Sequence, residues 1–350
     1  MRRGTLVPVL IGIMALGVAF ALSLLGGVRL LPSYLAAWLF CFGIPVGALA
    51  VLMALEIAGA AGAPLADPLR STVAALPVLA VLAAPILLHP DALFPLHGST
   101  SPFVLRAVVF LVLWTLLSLV FQRRPARPGG PGRNAWRGPG RNAWRGPRRA
   151  LAVIGLAVHS VIGTVAATDW ALSLDPGLGS SSFGLLLMVS QCGAAVSVAV
   201  LLAAWNGRPW IAPSGLAALF LCLLGAWIFL EFTQLLIVWS ANLSNEVAWY
   251  QRRAAGIGLV AERTAIGACA AALLLLLPRR FEVLTTSLAF AAGAVLFAHL
   301  IETFWLITPA FRDRLDVTGA DLLVLCGLGT LLVGASLLLG RWTEQRHGRA

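Results

Sequence analysis

Long apolar runs, punctuated by Gly, Pro and Arg, recur along the whole chain, and each approaches the ~20 residues that a helix needs to cross a hydrocarbon core. They place ten helices at residues 6–25, 34–57, 71–89, 104–121, 151–171, 183–205, 214–240, 257–277, 283–307 and 319–340. The expected fold class is an all-α polytopic membrane protein with ten transmembrane helices. The first run follows Arg2 and Arg3 in the manner of a signal peptide, but no small-x-small cleavage site precedes a soluble mature chain, so it is expected to stay as a span.

Composition supports the same picture. Of 350 residues, 59% are hydrophobic and 11% charged, with a mean hydropathy of +0.91. A soluble domain carries about 25% charged residues, so this chain cannot clothe itself for water. The formal charge of +11 arises from 25 Arg and no Lys against 14 Asp and Glu. Nine of those Arg fall in one segment, which points to membrane orientation; nucleic acid is excluded for want of a folded basic face.

With the amino terminus inside, 18 of the 25 Arg gather on the inner side and seven (Arg29, Arg106, Arg252, Arg253, Arg263, Arg312, Arg314) on the outer side. This asymmetry is expected to place both termini in the cytoplasm. The chain then divides into spans 1–4 (1–121), a linker (122–150), spans 5–10 (151–340) and a tail (341–350). The linker carries the nine Arg, no acid, and a tandem octapeptide, GPGRNAWR, at 130–137 and 138–145. Its Gly, Pro and like charges predict a disordered hinge between two halves. A linker that sets topology and was expanded by duplication fits these residues; the alternative is a tether to anionic lipid with Trp136 and Trp144 in the interface.

Cys41, Cys192, Cys222, Cys269 and Cys326 stand alone in apolar runs with no C-x-x-C, which excludes an iron–sulfur cluster, a zinc knuckle and a c-type haem. No metal site is expected. His159 lies about 8 residues and His299 about 16 from the inner ends of their helices, roughly 12 Å apart along the normal, too far to share a haem b.

Ionisable residues inside a bilayer cost at least about 2.5 to 3.5 kcal/mol on insertion scales, so they are the first place to seek function. The first four spans hold only Glu56, His89 and Arg106, all near helix ends. The rest hold His159 and Asp169, Glu231 and Gln234, Glu262 and Arg263, His299 and Glu302, and Asp321. All but His159 fall in the outer half, as a polar chamber that opens outward and thins inward. Glu231, Glu302, His299 and Asp169 are the candidates for proton transfer or quinol contact, with His159 as an inward relay. His299 and Glu302 stand i, i+3 on one face, a spacing suited to an acid–imidazole pair that passes a proton. Glu262 with Arg263, and Asp321 two residues into its helix, fit interfacial pairing and helix capping.

Two outer segments carry more polarity than a simple loop. In TVAATDWALSLDPGLGSSSFG (164–184), Ser180, Ser181 and Ser182 are placed to cap the sixth span. In EFTQLLIVWSANLSNEVAWYQRR (231–253), Trp239, Trp249 and Tyr250 form a belt of the kind that anchors spans at an interface.

Together these segments resemble the ten-span membrane subunit ActF of Alternative Complex III, a quinol:cytochrome c oxidoreductase, and the related NrfD and polysulfide-reductase membrane subunits. The resemblance rests on Asp169, Trp170, Ser173, Leu174, Pro176, Ser180 and Gly184, and on Phe232, Gln234, Trp239, Ala241, Asn242, Glu246, Trp249 and Tyr250. It covers about 164–310. Gly177 and Leu178 stand where the family carries an aromatic or His pair, and Asn242 to Glu246 reads Asn-Leu-Ser-Asn-Glu where the family runs Asn-Ile-Pro-Glu-Glu. One of two acids is therefore missing.

The resemblance implies two four-helix bundles flanked by the first and last helices. It also implies a sister ten-span subunit, peripheral haem and iron–sulfur subunits, surrounding lipid, and quinol or quinone as the small molecule served. Gln234, Trp239, Asn242 and Glu246 then become candidates for a quinol pocket or a partner contact. No covalently bound cofactor or redox centre is encoded, so electrons would leave through a partner. A proton- or ion-coupled transporter and a noncatalytic membrane scaffold remain the alternative classes.

Overall fold

The computed structural model describes residues 6–24, 30–60, 65–94, 100–123, 145–205, 214–277, 285–312 and 314–347. Among them, ten helices are long and apolar enough to cross a membrane. They are α1 (Val7–Leu24), α2 (Leu30–Ile57), α3 (Ala66–Leu88), α4 (Thr100–Phe121), α5 (Arg145–Trp170), α6 (Phe183–Trp205), α7 (Ser214–Ala241), α9 (Gly258–Leu276), α10 (Thr285–Ile307) and α11 (Gly319–His347). Between α7 and α9 runs a short amphipathic helix, α8 (Ser244–Ala254). The chain is thus an all-α, multi-pass integral membrane protein. The side on which α1 begins is termed proximal below, and the other side distal.

Helices α2–α5 pack as one four-helix bundle and α6, α7, α9 and α10 as a second; α1 lies against α11, which leans on α2 and α3. The two bundles meet where α2 crosses α6 and α10. Lipid tails are as apolar as Leu, so close backbone approach rather than hydrophobic burial drives such packing. Gly47 lets α2 touch α6: a Cβ there would stand 2.2 Å from the Gln191 carbonyl oxygen. Gly327 and Gly334 do the same for α1 against α11, where added Cβ atoms would meet Leu16 at 2.7 Å and Val9 at 2.5 Å.

Helix α2 is the buried axis of the molecule, and it repairs its neighbour α3. Pro77 and Pro85 break α3 into the pieces Ala66–Val73, Leu76–Val81 and Ala84–Leu88, because a proline offers no N–H to the preceding turn. At the second break the amides tighten onto nearer carbonyls, Ala83 N–H onto Ala80 and Ile86 N–H onto Ala83, which strands the carbonyls of Leu79 and Leu82. Trp38 Nε1 donates to Leu79 at 2.9 Å and Tyr34 Oη to Leu82 at 2.7 Å, so both are satisfied from α2.

Two expectations about the linker change. Its last residues are helical: α5 begins at Arg145, and Arg148 Nε donates to Glu56 Oε1 at 2.8 Å while a second nitrogen reaches the Arg123 carbonyl. Because α4 and α5 belong to one bundle, the segment joins neighbours within a bundle and is not a hinge between two halves. Most of the octapeptide repeat, with Trp136 and Trp144, lies outside the described residues.

Candidate functional site

The membrane acids separate by whether an arginine answers them. In the first bundle, Glu56 pairs with Arg148, and Asp169 at the distal end of α5 pairs with Arg106 of α4 at 2.9 Å. His159 is buried against Trp114, whose Nε1 donates to His159 Nδ1 at 3.1 Å. Asp169 and His159 therefore sit in the first bundle with α2–α5, apart from the other candidates. Asp321 accepts from both Arg312 terminal nitrogens, at 2.7 and 3.0 Å, and from the Thr318 N–H and hydroxyl. Arg312 also reaches Ser33 on α2, so the capping role expected of Asp321 holds and extends to tying α11 to α2.

Glu302, Glu231 and Glu262 have no arginine partner among the described residues. Glu262 and Arg263 make no direct ion pair, since consecutive helical residues point about 100° apart, although the Arg263 charge still acts on Glu262. Glu302 is instead held by neutral donors: Ser190 Oγ on α6 at 2.5 Å from Oε2, and Trp227 Nε1 on α7 at 3.1 Å from Oε1. The same Ser190 hydroxyl lies 2.7 Å from His299 Nδ1, and His299 Nδ1 is 3.6 Å from Glu302 Oε2. The i, i+3 pair on α10 thus meets as the spacing predicts, with Ser190 between its members. Ser190 and Trp227 had no distinguishing signal in the sequence, for both look like ordinary residues of an apolar helix.

Two cavities flank Glu302. One is lined by Ser190, Trp227, Cys269, His299 and Glu302, and holds about 20 Å³. The other holds about 30 Å³ and is lined by Glu231, Gln234, Tyr250, Glu302 and Trp305, among others. A single water needs roughly 10–15 Å³ on this measure, so each has room for water. Three buried nitrogens facing this region lack a hydrogen-bond partner: His299 Nε2, Gln234 Nε2 and Trp305 Nε1.

At the distal end, the Gln234 carbonyl oxygen accepts from Ser180 and Ser182. The serines expected to cap α6 thus turn to α7. Glu246 is buried and takes the Gly179 N–H at 3.2 Å, and a Cβ added at Gly179 would stand 3.1 Å from the same carboxylate oxygen. Asn242 closes α7 at a positive φ of 49°, a conformation that Asn tolerates. Trp239 is 77% exposed and lines neither cavity, so it faces outward.

The expected aromatic belt divides. Trp249 is buried, and the guanidinium of Arg253 lies 3.4 Å over its ring. Arg253 is 1% exposed; it donates to Asp175 at 2.9 Å and to the Leu306 carbonyl at 2.9 Å, while Arg252 holds the other Asp175 oxygen at 2.6 Å. Burial pushes the Arg253 guanidinium down to about 10 despite Asp175, and it stays charged near neutrality. This clamp, whose arginines the sequence shows only as two outer-side charges, holds the 172–180 loop beside the second cavity. The Tyr250 hydroxyl is pushed above its ordinary range, first by burial and then by Glu231, Glu262 and Glu246, so it remains a neutral donor beside the acids.

No protein-family model matches the chain, and a search of curated proteins returns no match.

Proposed function

We propose that this chain is a membrane subunit of a quinol-oxidising respiratory complex, related to the ten-span subunits of Alternative Complex III, and that its second bundle carries protons on the distal side. The observation that supports this most is the pair Glu231 and Glu302, half-buried in spans without an arginine partner among the described residues. Burial without a counter-charge is tolerated where a group has to gain and lose a proton. The Arg asymmetry puts the distal side outside, with both termini in the cytoplasm and the protein in a bacterial inner membrane.

Both cavities beside Glu302 have room for water, so this reading assigns proton handling to the chain, and quinol chemistry and electron acceptance to partners. A sister ten-span subunit and peripheral haem and iron–sulfur subunits are those partners. Glu302, Ser190, His299 and Trp227 hold and orient a proton, and Glu231, Gln234 and Tyr250 continue the polar path outward. Asp169 and His159, each engaged within the first bundle, take supporting positions.

The test is quinol-dependent electron transfer and its coupled proton release in membranes carrying Glu231→Gln or Glu302→Gln, normalised to assembled complex and followed against pH. Both variants keep shape and part of the hydrogen bonding while removing the titrating group. Activity or proton yield falls in both with assembly intact. Unchanged rates, yields and pH profiles, or purification of the chain alone with ion-driven uptake, would overturn the proposal.

A further inference from the structure

Glu302 belongs to both cavities, and the hydrogen bonds on its two sides differ in kind. Toward His299 the link is direct: one hydroxyl, Ser190 Oγ, is 2.5 Å from Glu302 Oε2 and 2.7 Å from His299 Nδ1. A serine hydroxyl has a single hydrogen, so it donates to one neighbour and accepts from the other. Two arrangements satisfy the trio. Either His299 Nδ1–H donates to Ser190 and Ser190 donates to a Glu302 carboxylate, or a Glu302 carboxyl donates to Ser190 and Ser190 donates to His299 Nδ1.

Toward Glu231 the link has a gap. The cavity there offers room for water and two buried N–H groups, Gln234 Nε2 and Trp305 Nε1, that find no acceptor among the described residues. Two unanswered donors and two carboxylates are the partners an ordered water requires, at two to four bonds each.

We infer that Glu231, a water site held by Gln234 and Trp305, Glu302, Ser190 and His299 form one proton relay, with Ser190 as the switch at its inner end. In the inward step the Glu302 O–H bond breaks as a Ser190 Oγ–H bond forms. The hydrogen that Ser190 already carried leaves for His299 Nδ1, so one proton moves and no electrons do. His299 Nε2 has no partner among the described residues, which makes His299 the end of the relay there, with the Phe40 ring 5.5 Å from the imidazole. This inference deepens the proposed function but requires neither quinol nor partner.

The titratable and charged groups around the relay are few. Helix α7 presents Glu231, α9 presents Glu262 and Cys269, α8 presents Tyr250 and Arg253, and α10 contributes His299 and Glu302 themselves. From α6 comes Ser190 alone, and from α2 the uncharged Phe40.

The experiment uses the full-length protein in lipid nanodiscs. Infrared difference spectra follow the Glu302 carboxyl band, assigned by its loss in Glu302→Gln, and nitrogen NMR follows the His299 imidazole, each against pH. In the wild-type protein the two signals share their transitions, because coupled groups titrate as a pair. Ser190→Ala separates the transitions, and Ser190→Thr, which restores the hydroxyl, rejoins them. In D2O, the deuterium shift of the carboxyl band slows severalfold in Gln234→Leu and Trp305→Phe, which remove the donors that hold the water. Independent transitions in the wild-type protein, or Ser190→Ala titrating as wild type, would overturn the relay. So would unaltered exchange in both donor variants. Either failure leaves the proposed function standing if Glu302→Gln still lowers quinol-driven turnover, and a loss of that function leaves the relay standing if the spectra behave as stated.

Discussion

The two four-helix bundles treat charge in opposite ways. In α2–α5 the acids at the span ends are answered by arginine, Glu56 by Arg148 and Asp169 by Arg106, and the buried imidazole is answered by Trp114. In α6, α7, α9 and α10, Glu231, Glu262 and Glu302 form no ion pair with arginine among the described residues, although Arg253 is buried a short way off on Asp175. A cation was thus within the fold's reach and was spent on a loop clamp instead. The contrast separates acids that hold the structure from acids free to change protonation, which sequence position and depth alone do not.

The largest effect is expected where a matched charge is unmatched. Asp175→Asn leaves Arg253 buried with half its partners and should destabilise the protein by about 3–5 kcal/mol, the usual consequence of breaking a buried pair. Thermal unfolding in detergent measures this, and the double variant Asp175→Asn/Arg253→Met should recover part of the loss. No loss in the single variant would mean that the clamp is ornamental. Next comes the seam between the bundles: Gly47→Ala drives a methyl against the α6 backbone and should destabilise by about 1–3 kcal/mol through overpacking. The smallest effect belongs to Asp169→Asn. Arg106 is 43% exposed, so water already screens the pair, and the loss should stay below about 1 kcal/mol. A larger loss would move Asp169 toward the functional group of acids.

Hydrophobic patterning made the ten spans legible almost to their ends, because each backbone in lipid has to satisfy itself within a helix. It missed how α3 breaks, since the prolines are visible but their repair by Tyr34 and Trp38 comes from another helix. Of the candidate site, the His299–Glu302 pair was legible from its i, i+3 spacing. Ser190 and Trp227, which complete it, were not, because a serine in an apolar run usually bonds back to its own helix. Nor did the sequence separate Asp169 and His159 from the chamber: depth places residues along one axis only, and their neighbours across the bundle are long-range contacts. Trp249 and Tyr250 looked alike as belt residues, yet one is buried under Arg253 and the other stands beside the acids.

The central claim is that the unanswered acids are held for proton exchange and not for stability. Its most direct measurement compares thermal unfolding of Glu231→Gln and Glu302→Gln with that of Asp175→Asn and Asp321→Asn, all in the same lipid and at neutral pH. Neutralising Glu231 or Glu302 removes no arginine pair among the described residues, so both variants should unfold within about 1 kcal/mol of wild type, the worth of a single hydrogen bond. Asp175→Asn and Asp321→Asn, each losing a buried arginine pair, should unfold at clearly lower temperature. Equal destabilisation across all four would contradict the account and return Glu231 and Glu302 to the structural acids.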